Sequence, residues 1–282
     1  MRVIVMRIIK ASGKRQKFNP EKIRKSLLRT GLSRSEADGI IYEVEKKIHD
    51  GMTSRQVFKV VMRELNEKQA VMASRYDLKG SILRMGPAGF NFETYVAGVL
   101  EEYGYDTELR AKIRGSCATH EIDIVAVDRD SGMRHFIECK YHNSLGTYID
   151  LKEALYTYAR FSDLTNGGEH FDSVWMACNT RASTPAIKYA NCTGMKLLCW
   201  RYPQDRGLER MIEDKNLYPL TMLRSIDEHS LDKFSRAGYM LIKDLTKNDF
   251  NSLKNKTRLK TKKLQRIVEE ARGVARENNF EA

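Results

Sequence analysis

The amino-acid sequence predicts an α/β protein in which a central mixed sheet, flanked by helices, lies between a small α+β domain and an all-helical domain. Three observations lead to this prediction. Strand and helix patterns alternate in the middle of the chain, only helical patterns follow from about residue 217, and the stretch MGPAGF (residues 85–90) interrupts the periodicity between the first two regions. We therefore expect three domains, over residues 1–85, 87–205 and 215–282.

The first domain is predicted to contain two short strands and a small helical bundle. VIVMRIIK is typical of a strand, ASGK of a turn and QKF of a second strand. The helix that follows is expected to have Asn19 as N-cap, Pro20 at its first position and Gly31 at its end. Three further helices are predicted: from Ser33 or Ser35 to Gly51, from Thr53 to Lys68, and over AVMASRYDLKGSIL.

The second and third domains differ in periodicity. The central elements are predicted in the order helix NFETYVAGVLEEYG, strands YDTELRAKIR, HEIDIVAVD and RHFIECKYH, helix YIDLKEALYTYARFSDL, strand DSVWMACNT, helix TPAIKYANC and strand MKLLCW. This order is typical of an α/β domain with a mixed sheet. In the last domain the apolar residues recur at helical intervals, namely Leu231, Phe234, Leu241, Leu245, Phe250 and Leu253.

Charge is distributed unevenly along the 282 residues, whose net charge is +12. Residues 1–86 carry 20 Lys and Arg against 9 Asp and Glu, residues 87–205 carry 12 against 16, and residues 206–282 carry 17 against 12. An acidic centre between basic regions is typical of a protein that handles a polyanion, although basic surfaces also favour solubility in general.

Other features of composition limit the class of protein. No apolar run reaches the ~18 residues of a membrane span, so no membrane association is expected. The opening MRVIVMRIIK contains arginines and no small-residue cleavage site, which favours a strand over a signal peptide. The five cysteines show no disulfide framework, so we expect reduced thiols and a cytoplasmic protein.

Two apolar strands of the central domain carry charged residues. Glu121 and Asp123 lie two apart on the first strand, and Glu138 and Lys140 lie two apart on the second. Residues two apart share one face of a strand. The segment DRDSG between the strands is typical of a hairpin turn, and the register of the hairpin is expected to bring Asp123 beside Glu138 and Lys140.

These charges are costly to bury unless a cation binds the carboxylates. Asp123 and Glu138, with a backbone carbonyl, would be enough ligands for Mg²⁺ or Mn²⁺, which keep several waters. A bound metal lowers the pKa of its water and neutralises charge that develops on a phosphate, while Lys140 could orient or deprotonate that water. The alternative is an ordinary surface ion-pair cluster on an edge hairpin.

The order Asp123 … Glu138-Cys139-Lys140 resembles the PD-(D/E)xK nuclease superfamily, and FETYVAGVLEEYGYD resembles the Phe-Glu start of its Mrr-type restriction endonuclease branch. The resemblance covers about residues 87–202, including the order of elements. It implies a restriction-endonuclease-like fold and a Mg²⁺-dependent endodeoxyribonuclease that hydrolyses phosphodiester bonds. It also implies Glu93 as a further catalytic acid. Glu121 stands where the family often has glycine, so its place in the site is open.

Two Cys-x-x-His pairs in the same region, Cys117 with His120 and Cys139 with His142, allow a zinc site as an alternative. Because Cys139 and His142 lie three apart on a predicted strand, their side chains should point to opposite faces. This spacing argues against zinc.

The helix predicted from Tyr148 to Leu164 carries aromatic residues near Lys152 and Arg160. Aromatic residues beside cations can contact bases and phosphates, but at helical spacing they more often belong to a core. We expect core packing, with Lys152 and Arg160 as candidates for substrate contact.

The first domain, in IIKASGKRQKFNPEKIRKSL and in later residues such as Gly51-x-Thr53 and Arg75-Tyr76, resembles the ATP-cone, the nucleotide-sensing domain of ribonucleotide reductases and some bacterial transcription regulators. The resemblance covers about residues 3–84. It implies that Lys10, Asn19 and Lys22 contact an adenine nucleotide, with Thr53 nearby. No Gly-x-x-x-x-Gly-Lys-Ser/Thr loop is present, so ATP is expected to act as an effector. The alternative is a small basic module that binds nucleic acid.

The last domain resembles a helix-hairpin-helix module in LDKFSRAGYMLIKDL and in its final Ala-rich helix. Such modules hold the phosphate backbone of DNA. Between Lys254 and Arg266 there are seven cations and no acid. From these we select as DNA-binding candidates Lys256, Arg258, Lys260, Lys262 and Lys263, although a helical packing domain with a solvated basic face is an alternative.

Together these patterns and the resemblances imply a metal-dependent DNA endonuclease regulated by ATP or dATP. The main alternative is a nucleotide-gated DNA-binding regulator without catalysis. Because nucleases that cut both strands often pair subunits, a homodimer is also expected.

Overall fold

The structure is a computed structural model that describes residues 6–10, 12–86, 89–144 and 146–276. The chain divides into two compact units, Met1–Lys79 and Gly80–Ala282. Two of the predicted features lie partly outside the described residues: the N-terminal part of the first strand, and residues 87 and 88 of the MGPAGF break.

The first unit contains a two-stranded antiparallel sheet followed by helices. Its elements are β1 (Arg7–Ile9), β2 (Arg15–Lys17), α1 (Pro20–Arg29), α2 (Arg34–Lys47), α3 (Ser54–Lys68), α4 (Ala70–Tyr76) and α5 (Leu78–Leu83), which crosses the division between the units. The core is formed by apolar residues of the sheet and of the helices, including Leu27, Val44, Val61 and Leu65, which are fully buried.

Helix starts in this unit follow local side-chain chemistry. Asn19 caps α1 and accepts a 2.9 Å hydrogen bond from the Glu21 N–H. Ser33 and Thr53 cap α2 and α3, each with a reciprocal bond from the residue three positions later. These three predicted starts are confirmed, because caps depend on residues close in sequence.

Three predicted boundaries in the first unit are wrong. The second strand covers Arg15–Lys17, and Phe18, which follows it, is buried in the core. Helix α2 ends at Lys47, and Gly51 lies in the following turn with a φ of +82°. The last predicted helix is interrupted at Asp77, which separates α4 from α5.

The second unit begins with a five-stranded mixed sheet and the helices that cover it. The elements are α6 (Phe90–Glu102), β3 (Tyr105–Arg114), β4 (Thr119–Asp128), β5 (Arg134–Lys140), β6 (Tyr148–Ile149), α7 (Leu151–Asn166), β7 (Ser173–Cys178), β8 (Arg181–Ala182), α8 (Thr184–Thr193), β9 (Lys196–Leu198) and α9 (Leu208–Asp214). The strand order is β3-β4-β5-β7-β9, with the first three antiparallel and β7 and β9 parallel to β5. The predicted mixed sheet is confirmed.

The helix predicted from Tyr148 starts later than expected. Asp150 is its N-cap and α7 begins at Leu151. Tyr148 and Ile149 instead form β6, which pairs with β8. That pairing joins residues more than thirty positions apart, so no local pattern signals it.

The two faces of the central sheet bury different side chains. Val125, Phe136 and Met176 point to one face, where they form a core with residues of α7 and α8 such as Leu164 and Ala186. Neighbouring residues of the same strands point to the other face, because side chains alternate along a strand. Helix α6 packs against β3 and β4.

The predicted helical tail is confirmed. A short 3₁₀ helix (Leu220–Met222) precedes α10 (Glu228–Arg236), α11 (Ile242–Lys247), α12 (Phe250–Thr257) and α13 (Thr261–Arg276). Of the six apolar residues that recur at helical intervals in this domain, five are buried and Phe250 is half-buried. Within the described residues, no helix is long and apolar enough to cross a membrane. The five cysteines form no disulfide.

Candidate active site

The β4–β5 hairpin brings Asp123 and Glu138 to the same end of two adjacent strands. Ile124 pairs with Ile137, so Asp123 and Glu138 lie one position beyond, on one face of the hairpin. Asp123 Oδ2 accepts a 2.7 Å hydrogen bond from the Cys139 N–H. The predicted turn is present, with the Asp128 N–H donating to the Met133 carbonyl at 2.9 Å.

Glu138 is buried and interacts with two basic side chains. Lys140 Nζ lies 2.9 Å from Glu138 Oε1, and Arg160 Nη1 bonds to Glu138 Oε2. Arg160 also donates to the Glu121 carbonyl, and its guanidinium lies over the Phe136 ring. Arg160 was predicted only as a substrate contact, but here it is a partner of a site carboxylate.

Glu93 lies in the first turn of α6 and is also buried. Its Oε2 accepts a 3.0 Å bond from Arg110 Nη1. Burial raises the pKa of Glu93, and Arg110 opposes that rise. The negative charges of Glu121 and Glu138 add to it, which places all three carboxyl groups in one electrostatic neighbourhood.

Arg110 is a site residue that the sequence analysis missed. On either side of it, β3 pairs regularly with β4, through Leu109 with Ile124 and Ala111 with Ile122, so Arg110 lies opposite Asp123. Its φ is +55°, a left-handed conformation that is rare for a residue with a side chain inside a strand. Such conformations concentrate at functional sites. No sequence pattern predicts a left-handed conformation at an arginine.

Among the described residues, the Asp123 carboxyl bonds to a backbone N–H and to no basic side chain. Burial and the neighbouring Glu138 raise the pKa of Asp123 to about 7, against the lowering effect of the Cys139 N–H. Burial alone would lower the pKa of Lys140, but Glu138 outweighs burial and the pKa is raised. The site therefore holds one ammonium and two guanidinium groups beside carboxyl groups that compete for protons.

Other residues of the region have partners of their own. Glu121 is exposed, and its carboxylate lies 3.8 Å from Lys112 Nζ. His120 Nε2 lies 2.7 Å from Asp163, while His142 Nδ1 lies 2.8 Å from the Thr180 hydroxyl. The histidines of the two Cys-x-x-His pairs thus form hydrogen bonds with different partners. Among the residues that the structure describes, no three His, Cys, Asp or Glu side chains are arranged to hold a metal.

The predicted nucleotide-binding residues lie at two places in the first unit. Lys10 follows β1 and is exposed, and the preceding Ile9 forms a parallel bridge with Thr53, the N-cap of α3. Asn19 and Lys22 lie at the start of α1, near the other end of the β1–β2 hairpin. Each place combines a lysine with a helix N-terminus, which is suited to an anion.

The predicted DNA-binding residues lie at the junction of α12 and α13. Four of them are exposed, namely Lys256, Arg258, Lys260 and Lys262. Lys263 is half-buried and forms a 2.6 Å ion pair with Asp227. The turn between the helices places Arg258 in a left-handed conformation with a φ of +52°.

Comparisons with known proteins place the chain in a family. Residues 6–79 match the model of the ATP cone domain, and residues 218–275 match the model described as AF1548-like, C-terminal. An uncharacterized protein of Archaeoglobus fulgidus is 43% identical over 179 residues, which are 64% of this chain and 99% of that protein. The chain belongs to the AF1548-like family.

A solved structure supports this membership. The crystal structure of the protein of unknown function AF1548 covers 66% of this chain and 98% of its own, with 41% identity and a TM-score of 0.60. The predicted ATP cone is confirmed at the N-terminus of this AF1548-like protein. The resemblances to an Mrr-type nuclease and to a helix-hairpin-helix module stay predictions.

Proposed function

We propose that this AF1548-like protein is a metal-dependent DNA endonuclease whose activity is regulated by ATP or dATP bound to the ATP cone domain. The observation that carries the proposal is the convergence of Glu93, Asp123, Glu138 and Lys140 at the end of one hairpin. Buried carboxyl groups with raised pKa values beside a lysine cluster at active sites, and this supports the proposal.

The residues present fit a divalent cation. Asp123 and Glu138 offer the oxygen ligands that Mg²⁺ and Mn²⁺ prefer, and a cation between them would offset the burial and the Glu138 charge that raise the pKa of Asp123. When bound, the cation supplies an activated water and neutralises charge on a phosphate.

The chain's own side chains have separate roles in the proposal. Lys140 Nζ, held at Glu138 Oε1, orients the attacking water and contacts the scissile phosphate. Arg110 holds the Glu93 carboxylate at the site. The exposed cations at the α12–α13 junction bind the DNA backbone, which makes affinity fall steeply with salt.

The test is cleavage of plasmid, linear and four-way-junction DNA with Mg²⁺ or Mn²⁺, with and without ATP and dATP. Lys140→Ala is expected to abolish cleavage and leave DNA binding intact. Lys188→Ala, an exposed lysine on α8, is the matched control and should cleave normally. Full cleavage by Lys140→Ala would overturn the proposed site.

A second candidate is a nucleotide-gated DNA-binding regulator without catalysis. It is favoured by Glu138, both of whose carboxylate oxygens already bond to basic side chains. In that case no substrate is cleaved with either metal, while the affinity for DNA changes with ATP. Lys256→Gln and Lys260→Gln should then weaken binding and reduce its salt dependence by about one ion each.

A further inference from the structure

The second unit contains a cavity of about 540 Å³ that does not involve the carboxylates of the candidate active site. We refer to it as the Trp175 cavity. Its walls come from the end of α6, from strands β3, β7 and β9, from the end of α8 with Met195, and from the segment 202–214. The volume lies within the range of small-molecule sites in proteins.

Trp175 and Lys196, which line the cavity, lie on the opposite face of the sheet from Glu138. On β7, Trp175 pairs with Ile137 and the next residue, Met176, pairs with Glu138. Because side chains alternate along a strand, the Trp175 and Glu138 side chains point to opposite faces. A ligand in the Trp175 cavity would therefore occupy a second site, separate from the carboxylates.

Aromatic rings form much of the wall and hold one another in place. The centroid of the Trp175 ring lies 5.8 Å from that of Tyr105, at 78°, and 5.1 Å from that of His135. Trp175 Nε1 donates a 2.8 Å bond to the Ser173 hydroxyl, which fixes the indole. Tyr103 and Tyr202 add two further half-buried rings. Fixed aromatic walls favour a planar aromatic ligand, because stacking requires no further ordering of the rings.

Polar groups at the rim match the rest of a nucleotide. Lys196 Nζ lies over the Trp175 ring, 4.8 Å from its centroid, and a base that stacks on this ring would displace it to the edge, where it could bind the phosphate. Arg206 and Arg210 also line the cavity and are exposed. Each has an acidic neighbour, Asp205 or Asp214, whose carboxylate could accept hydrogen bonds from a sugar or a base edge.

The segment that closes the cavity is fixed by backbone contacts. The Cys199 N–H donates to the Tyr202 carbonyl at 2.7 Å, and the Leu208 N–H donates to the Cys199 carbonyl at 2.9 Å. A Cβ on Gly207 would lie 2.7 Å from the Tyr202 nitrogen, so only glycine allows this approach. The wall is thus formed before any ligand binds, which reduces the cost of binding.

We propose that the Trp175 cavity binds a single nucleotide, with the base against Trp175 and the phosphate at Lys196. The nucleotide is either free or the splayed-out end of a DNA strand, since both present the same chemistry. The proposal goes beyond the endonuclease and does not depend on cleavage or on the ATP cone domain.

Tryptophan fluorescence of the full chain tests it directly. The chain has two tryptophans, and Trp200 is buried, so Trp175 reports on the cavity. Titrants are dAMP, dTMP and a short single-stranded DNA. Trp175→Phe keeps Trp200 and corrects for absorption by the titrant. Lys196→Gln should weaken binding about tenfold, and the control Lys188→Gln, on an exposed residue outside the cavity, should not.

Each outcome decides the proposal. Saturable quenching by the mononucleotides, weakened in Lys196→Gln, supports a free nucleotide as ligand. Quenching by the single strand alone, with the same dependence on Lys196, supports a DNA end. Absence of saturable quenching with every titrant, or quenching that Lys196→Gln leaves unchanged, overturns the assignment.

Discussion

Two aspartates in the central sheet domain differ in their hydrogen-bond donors and in the direction of their pKa shifts. Asp163, on α7, accepts bonds from the Cys117 N–H at 2.8 Å, from the Ala118 N–H at 3.1 Å and from His120 Nε2 at 2.7 Å. These bonds, that from His120 foremost, lower the pKa of Asp163 to about 2. We call this arrangement the Asp163 clamp. Asp123 accepts a bond from Cys139 alone among the described residues, beside Glu138, and its pKa is raised.

The difference separates a structural carboxylate, that of Asp163, from one that we propose to be functional, that of Asp123. The Asp163 clamp holds the β3–β4 turn against α7 with every bond in place. Asp123 remains short of donors, which costs stability in the folded chain unless a cation or a substrate supplies the missing charge. The number of donors around a carboxylate, rather than its presence in a motif, thus distinguishes the two roles.

The largest expected effect comes from the backbone beneath the clamp. A Cβ on Gly167 would lie 2.6 Å from the Gly115 carbonyl carbon and from the Ser116 nitrogen. Gly167→Ala should therefore lower the free energy of unfolding by about 3 kcal/mol, because these backbone atoms cannot move away without straining the turn. Gly273→Ala, on α13 with no neighbour within 4 Å, should be neutral or stabilising. Equal melting temperatures for the two variants would show that the turn is not held as described.

Exchanging each aspartate for asparagine tests the comparison itself. Asp123→Asn removes a desolvated charge beside Glu138, so in metal-free buffer we expect stability to rise by about 1 kcal/mol while cleavage is lost. Asp163→Asn loses acceptors for its donors, so we expect a lower melting temperature and unchanged cleavage at permissive temperature. If both variants lose stability, Asp123 is a structural residue.

The clamp also predicts a pH dependence. The pKa of Asp163 in the folded chain lies below its ordinary value, so its stabilisation is complete above about pH 4 and is lost as the pH falls toward about 2. The melting-temperature difference between the wild type and Asp163→Asn should therefore be constant near neutrality and narrow in acid. A difference that widens in acid would contradict the assignment.

The smallest expected effect concerns Arg110. Glycine adopts a positive φ without strain, so Arg110→Gly should destabilise the chain by about 1 kcal/mol less than Arg114→Gly, on the same strand at an ordinary position. Urea unfolding of the two variants measures this. If Arg110→Gly is the more destabilising, its ion pair with Glu93 outweighs the relief of backbone strain.

Much of the fold could be predicted because it depends on neighbours in sequence. The limits of β3 follow from alternation and turn residues, and the starts at Ser33 and Thr53 follow from caps. The start of α7 could not be predicted, because Tyr148 pairs with Arg181 in the short β6–β8 sheet. Pairings at that distance leave no local pattern.

In the candidate site, too, the sequence predicted some features and not others. The alternation of strand residues and the turn between them determined that Asp123 and Glu138 share one end of a hairpin. The partner of each charge was not determined, since Arg160 reaches Glu138 from a helix and Arg110 reaches Glu93 from a strand. Arg160 therefore carried no signal as a partner of Glu138.

The sequence by itself determined which charged groups occupy the apolar strands, because residue type and period alone define them. Only the tertiary structure decided which carboxylates accept several hydrogen bonds and which accept few. It did so by packing α7 against β4 and β5, where Arg160 meets Glu138 and Asp163 meets the β3–β4 turn. The energy of a buried charge depends on every group within a few ångströms, and those groups come from distant parts of the chain.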